Sequence, residues 1–182
     1  SSCLAITTNF ESVTMMNRDD DATAFSAKST FCMGRFLIDV PLGSKLSGGN
    51  YKYDFVKIES VKAMSHEDFE KEAVGYESQL RSLKNKKTQQ SMLLQSVSPE
   101  RNTKIFASWK VDVSTAQISI NGFRWIDNHR YLLHDDVGGS KQEFGMSRMR
   151  EALSRLRSRN DTDIPAEPGY CFAGGFVANT EW

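Results

Sequence analysis

Cysteine is the residue type in this chain with the most distinctive chemistry, and it occurs three times, as Cys3, Cys32 and Cys171. The last two each lie in a short apolar, β-prone run bounded by proline or glycine, Cys32–Pro41 and Ile164–Val177. Two interpretations of this pair stay open: buried free thiols, because cysteine is often buried, or a disulfide. We favour a disulfide that links the first and last strands. Closing a loop of 139 residues stabilises a small extracytoplasmic domain by about 4–5 kcal/mol.

The odd number of cysteines leaves Cys3 without an intramolecular partner. Residues 1–25 are mostly polar, and no hydrophobic period holds over them. The opening Ser-Ser-Cys is similar to the end of a lipoprotein signal, in which the cysteine carries the lipid. We therefore predict a flexible tail or a lipoprotein tether over residues 1–25. Cys3 is then either a lipid-bearing residue, which would tether the chain to a membrane, or a free surface thiol.

Three histidines are the other candidates for catalysis or metal binding. His66 falls in the first turn of a predicted helix. His129 and His134 are five residues apart on a predicted strand, so their side chains point to opposite faces and do not share a metal. A nucleophilic cysteine needs a base and an electropositive setting, whereas Cys32 and Cys171 are flanked by apolar residues and glycine. We therefore expect no catalytic residue, no metal site and no cofactor.

Composition limits the classes of partner. Lysine and arginine total 23, as do aspartate and glutamate, so the formal net charge is zero and we expect no nucleic-acid partner. Hydrophobic residues make up 39%, which is typical of a globular domain with a core. No apolar run is long enough to span a bilayer. We expect one domain over residues 26–182.

The order of elements predicts an α+β domain. Two strands precede a helix that is capped by Ser65 and carries an apolar stripe that includes Phe69, Ala73 and Tyr76. A run of strands follows, and then Ser140–Glu143 matches the capping box of a second helix. A last strand completes the chain. This order favours a mainly antiparallel sheet with two helices packed on one face.

One hairpin in the strand run has two candidate turns. Asn121-Gly122 is a strong hairpin signal, but the apolar residues change parity across it, which also fits a β-bulge. We place the bulge at Asn121-Gly122 and the turn at Asp127-Asn128.

Arginine and tryptophan are the candidates for a protein-binding surface. Five arginines cluster on the predicted second helix, at positions 148, 150, 155, 157 and 159. Such a cluster is either a solvated face or an anchor for an acidic partner, because arginine makes bidentate pairs at interfaces. Trp125 and Arg130 lie near the predicted hairpin turn and form the second candidate surface.

Four stretches together resemble the N-terminal domain of the type VI secretion lipase immunity family, and the resemblance covers about residues 31–177. They are Cys32–Pro41, Ile105–Trp109, Gly122–Leu133 and Ile164–Phe176. The resemblance implies a periplasmic, non-enzymatic protein that binds and blocks a cognate phospholipase effector. It also implies a second domain in the same protein.

The toxin would then contact one of two surfaces: the hairpin with Trp125 and Arg130, or the helix with Arg148 and Arg155. Two other functions remain as alternatives. One is an envelope-scaffolding role for a periplasmic lipoprotein domain, and the other is a small hydrolase that uses His129 or His134.

Overall fold

The computed structural model of the chain describes residues 27–47 and 49–179, so the predictions for Cys3 and for the tail over residues 1–25 lie outside the described residues. The described part contains two helices, α1 (His66–Ser82) and α2 (Gln142–Ser154). Its strands are β1 (Lys28–Met33), β2 (Phe36–Pro41), β3 (Tyr51–Tyr53), β4 (Val56–Ala63), β5 (Leu93–Val97), β6 (Thr103–Trp109), β7 (Gln117–Ile126), β8 (His129–Gly138), β9 (Leu156–Ser158), β10 (Gly169–Phe172) and β11 (Gly175–Ala178). Neither helix is long and apolar enough to cross a membrane.

Six strands form the central sheet in the order β3-β4-β8-β7-β6-β5, and every neighbouring pair is antiparallel. The longest pairing joins β7 to β8 and runs from Gln117 opposite Gly138 to Ile126 opposite His129. Its turn lies at Asp127-Asn128, as predicted. Both residues have positive φ, 48° and 59°, a conformation that short polar side chains tolerate better than others.

The two helices cover opposite faces of this sheet. Helix α2 packs on the face that carries Ile105 and Ile120, whereas α1 packs on the face that carries Phe106 and Phe123. Neighbouring residues of a strand point to opposite faces, so Ile105 and Phe106 belong to separate cores. The predicted α+β class and mainly antiparallel sheet are confirmed, but the placement of both helices on one face is wrong. The sheet needs two covers because its central strands are apolar on both sides.

Gly122 explains why the sequence predicted a bulge where the structure has none. The β7–β8 pairing is continuous there, with Asn121 opposite His134 and Gly122 opposite Leu133. Gly122 lies under α2, and a Cβ on it would be 2.5 Å from the sulfur of Met149. Glycine thus takes an inward position that a larger residue could not occupy. The apolar residues on either side of it belong to different faces, which explains their change of parity.

The predicted cap of α1 is confirmed, and that of α2 is wrong. Ser65 is the N-cap of α1, and its hydroxyl accepts a hydrogen bond from the Asp68 backbone N–H at 3.1 Å. The N-cap of α2 is Lys141, whose side chain makes no capping bond. The Lys141 N–H instead donates to the Gly138 carbonyl at 2.8 Å. That bond closes a turn around Ser140, which therefore precedes the helix.

The chain ends of the described region form two hairpins where the sequence predicted single strands. Strands β1 and β2 pair around Gly34, and β10 and β11 pair around Gly174, both with positive φ. Strand β9 adds to β11 and completes a three-stranded sheet. The predicted disulfide is confirmed, because Cys32 in β1 is bonded to Cys171 in β10, with the two Cα atoms 5.7 Å apart.

Candidate partner-binding surface

His134 belongs to a hydrogen-bonded network that lacks the order of a catalytic triad. Its Nδ1 lies 2.8 Å from Asn121 Oδ1, and its Nε2 lies 3.2 Å from Asp136 Oδ1. Ser119 donates its hydroxyl proton to Asp136 at 2.7 Å, so the histidine is not placed to activate it. Burial alone would raise the pKa of Asp136, but hydrogen bonds from Lys110, Ser119 and His134 outweigh it and lower that pKa.

The other two histidines have local structural contacts. His66 Nε2 lies 2.8 Å from Asn102 Oδ1, and its ring meets Trp125 edge-on with centroids 5.0 Å apart. His129 Nδ1 lies 2.8 Å from the carbonyl of Asp127 in the β7–β8 turn. Within residues 27–47 and 49–179, no group of three or more His, Cys, Asp and Glu side chains is placed to hold a metal ion.

Trp125 and Arg130 lie on the α1 face of the sheet, where both side chains bind other parts of the fold. Trp125 is half-buried, and its indole N–H donates to the Met64 carbonyl at 2.9 Å. Arg130 is only 6% exposed. Its guanidinium donates to the Ser60 hydroxyl at 2.6 Å and lies 3.2 Å from a Glu72 carboxylate oxygen. Arg130 therefore joins α1 to β4 and β8.

Arg148 lies on the opposite side of the sheet, between two exposed aromatic rings. It donates to the buried Asp135 carboxylate from Nε at 3.0 Å and from Nη2 at 2.5 Å. The guanidinium carbon is 5.4 Å from the ring centre of Phe55 and 5.0 Å from that of Phe144. These distances fit cation–π contacts. The rings remain 74% and 60% exposed, so Arg148 has fixed contacts while its aromatic neighbours face solvent.

Arg155 lies on the same side as Arg148. It is the C-cap of α2, it forms an ion pair with Glu151 at 2.5 Å, and its Nη1 is 3.5 Å from the Tyr53 hydroxyl. Arg148 and Arg155 line a small cavity beside Tyr53 and Glu151. The structure thus brings this predicted pair together and separates it from Trp125 and Arg130.

The remaining arginines of the predicted cluster are not all helical. Only Arg148 and Arg150 belong to α2, whereas Arg157 lies in β9 and Arg159 follows it. Arg159 donates to backbone carbonyls, including those of Asp163 at 2.7 Å and Phe172 at 3.2 Å. It therefore fastens the loop before β10, a structural role that the sequence pattern did not separate from surface charge.

Phe55 and Phe144, two exposed aromatic residues of this region, were not predicted from the sequence as surface residues. A cleft of about 440 Å³ lies beside Phe55 and Arg148, and its other lining residues are Lys52, Lys57, Glu59, His134, Asp135 and Asp136. Two signals were present in the sequence. The apolar alternation of Tyr51 and Tyr53 slips just after Phe55, and Phe144 falls outside the buried stripe of α2. Lys52, Phe55 and Phe144 are exposed here, whereas Arg148 is partly buried between the two rings.

Solved structures share this fold. A crystal structure of a Tle4–Tli4 complex matches with a TM-score of 0.73 and 23% identity, over 85% of this chain and 51% of the other. The apo structure of the type VI secretion immunity protein TplEi from Pseudomonas aeruginosa matches with a TM-score of 0.72 and 23% identity, over 84% and 51%. A structure of TplEi with an "L" peptide gives a TM-score of 0.62 at 22% identity, over 84% and 48%.

These similarities show a common fold, and the chain spans about half the length of the proteins it matches. No curated protein matches the chain in sequence. A family match covers residues 29–159, which include both helices and the whole central sheet. The chain therefore belongs to the Tle cognate immunity protein 4 N-terminal domain family.

Proposed function

We propose that this chain is the N-terminal domain of a two-domain immunity protein that binds a cognate type VI secretion phospholipase and blocks it. The observation that carries the proposal is the family match over residues 29–159. The shared fold with a Tle4–Tli4 complex and with TplEi supports it, as does the share of those chains, about half, that this chain covers.

We also propose that the protein works in the periplasm. The Cys32–Cys171 disulfide supports this location, because such bonds persist in oxidising compartments. Lipidation of Cys3 would then hold the protein at a membrane. Mass spectrometry of the natural protein tests the anchor: a lipid mass on the peptide that carries Cys3 supports it, and an unmodified thiol contradicts it.

The proposed action is binding without catalysis. The family supports it, and so does the environment of His134, whose two ring nitrogens lie beside Asn121 and Asp136. A hydrolase that relied on His134 would need one of these ring nitrogens to accept the proton of a nucleophile. Turnover by the purified chain that disappears in His134→Ala would contradict this part of the proposal.

We place toxin binding on the side of the sheet that carries Arg148 and Arg155. The other predicted surface has less to offer a partner, because Trp125 donates its N–H to Met64 and Arg130 is buried against Glu72. Arg148 is also held inside the fold by the buried Asp135, but it lies between the exposed rings of Phe55 and Phe144, and exposed aromatic clusters mark interaction sites.

The test combines the purified chain with the lipase encoded beside its gene. Calorimetry should detect a one-to-one complex, and phospholipid hydrolysis by the lipase should fall as the chain is added. No binding at all would contradict the proposed function. Binding to other envelope proteins but not to the lipase would favour the scaffolding alternative.

Two double variants distinguish the surfaces. Both double variants should lower the melting temperature, because Arg148→Ala leaves the buried Asp135 unpaired and Arg130→Ala does the same to Glu72, so affinity is compared at a temperature where each variant is folded. There, Arg148→Ala with Arg155→Ala should weaken binding of the lipase by about 2 kcal/mol or more. Trp125→Ala with Arg130→Ala should leave affinity little changed. The reverse pattern would move the binding site to the α1 face.

A further inference from the structure

Phe55 has a backbone conformation that is unusual for an aromatic residue. Asp54 and Phe55 are the two central residues of the β3–β4 turn, which Tyr53 and Val56 close. Both have positive φ, 46° and 69°. A two-residue turn of this kind favours Asn-Gly or Asp-Gly, because a β-carbon at positive φ meets the backbone. Phe55 thus occupies the position at which glycine would be least strained.

The folded chain does not offset this strain by burying Phe55. Phe55 is 74% exposed, and its ring lies against the guanidinium of Arg148. The other non-glycine residues with positive φ in the described part are all polar: Asp54, Gln89, Asn102, Asp127 and Asn128. Strain that folding does not require is a feature of functional sites.

Arg148 holds the two rings apart in a fixed arrangement. Its ion pair with the buried Asp135 fixes the guanidinium, and Phe55 and Phe144 lie against it. Ordering side chains on association is costly, so rings that are already positioned can bind a partner with a smaller loss of entropy. Phenylalanine is enriched at the centre of interfaces, and exposed aromatic clusters mark interaction sites.

The charges around the rings indicate the chemistry of the partner. Arg148 is paired with Asp135, and Lys57 is paired with Glu59 at 2.9 Å. Lys52 also lines the cleft and is exposed, and among the described residues no carboxylate lies within 4.0 Å of its ammonium group. The surface therefore complements an apolar patch with an acidic group at its edge.

We propose that Phe55 and Phe144 are the anchor residues through which this chain binds its cognate lipase, and that Lys52 meets an acidic side chain of that enzyme. This inference rests on the proposed function and adds to it the residues that bind. The strained turn serves to hold Phe55 in solvent beside Phe144, where both rings can enter an apolar patch of the toxin.

The main test is Phe55→Gly, because it moves stability and binding in opposite directions. Glycine relieves the positive φ, so the melting temperature should rise, while the dissociation constant for the lipase should rise about 30-fold. Gln89→Gly is the matched control, since Gln89 also has positive φ, 61°, and lies in the loop after α1. It should not lower the melting temperature, and it should leave affinity unchanged.

Two further variants distinguish the anchor residue Phe144 from Lys52, which lies at the edge of the surface. Phe144→Ala should weaken binding to a similar extent, and it leaves the β3–β4 turn unchanged. Lys52→Ala should slow association and reduce its salt dependence, with a smaller effect on dissociation. Both residues are exposed, so neither variant removes core packing.

The outcomes separate this inference from the proposed function. If the wild-type chain binds the lipase and Phe55→Gly and Phe144→Ala bind equally well, the anchor assignment is overturned and the function stands. If the wild-type chain does not bind, both are overturned. A wild-type dimer that dissociates on Phe55→Gly, with lipase affinity unchanged, would assign the surface to a second copy of the chain and overturn the inference. A lower melting temperature for Phe55→Gly would overturn the argument from strain.

Discussion

Removal of the Cys32–Cys171 disulfide should release the β1–β2 hairpin from the rest of the domain. We would compare the oxidised chain with Cys32→Ala/Cys171→Ala, both in a Cys3→Ser background that prevents thiol exchange. The bond closes a loop of 139 residues, for which the chain-entropy model gives about 5 kcal/mol as the upper limit of the lost stability. For a domain of this size that limit corresponds to a fall in melting temperature of about 10–20 °C.

The contacts that remain after the change decide how the loss is distributed. The β1–β2 hairpin also meets β10 through two backbone hydrogen bonds between Gly34, in its turn, and Cys171, at 2.8 and 2.7 Å. A small apolar cluster that includes Phe176 lies around the sulfurs, separate from the main core. Two hydrogen bonds contribute about 2 kcal/mol in total, less than the loop-closure term. We therefore expect the hairpin to open locally before the central sheet unfolds.

Hydrogen exchange followed by mass spectrometry measures this distribution. Peptides from β1, β2 and β10 should lose protection in the alanine variant, while peptides from β6, β7 and β8 should keep most of theirs. Equal protection of β1 in both proteins would refute the reasoning, because the bond would then contribute nothing to holding the hairpin. Equal loss in every strand would refute local opening.

Two further predictions concern glycine and tyrosine. Gly122→Ala should destabilise the fold by about 1–3 kcal/mol, because its Cβ would overlap two buried side chains of α2. Gly75→Ala in α1 would meet nothing within 4 Å and should stabilise the fold by about 1 kcal/mol. Urea unfolding measures both changes. Burial, followed by the charges of Asp127 and Asp161, raises the pKa of Tyr131 from 10.0 to about 12. The folded state then favours neutral Tyr131, so this contribution to stability is present below pH 10 and is lost between pH 10 and 12; Tyr131→Phe should remove the loss.

Local sequence rules predicted the features of the fold that depend on a few neighbouring residues. The Ser65 cap follows from a hydroxyl placed three residues before the Asp68 N–H, from which it accepts a hydrogen bond. The Asp127-Asn128 turn follows from the tolerance of short polar residues for positive φ. The pairing of Cys32 with Cys171 followed from count and context, because Cys3 lay in a polar stretch.

The faces of the sheet could not be predicted in the same way. Ile105, Phe106 and Ala107 are all buried, so β6 shows no alternation that would separate an inner from an outer side. A strand covered on both sides is expected to be apolar throughout. On the α2 face of β7, Gly122 and then Arg124 follow Ile118 and Ile120, so the apolar period is lost there. No pattern in the sequence shows which face of the sheet each helix covers, so both helices were predicted on one face.

The proposed binding surface was the least predictable part, because exposure depends on where a strand ends. Phe55 continues the apolar alternation of Tyr51 and Tyr53, so the pattern placed it in the sheet. The chain turns after Tyr53 instead, and Phe55 faces solvent. Arg130 shows the opposite error, because its position near a turn predicted exposure, whereas its partner Glu72 lies on a helix 58 residues away in sequence.

Residues that stabilise the fold differ from the exposed residues that we propose for binding. Arg130 and Arg159 use their guanidinium groups inside the fold, so substitution of either should be selected against in any relative that keeps these contacts. Phe55, Phe144 and Lys52 contribute little buried area, so they can change without loss of the fold. Arg148 connects the two sets, because its bond to Asp135 belongs to the fold while its faces support the rings. In the proposed binding role, exposed side chains alone can change which toxin the domain recognises, while the core and the disulfide keep the surface in place.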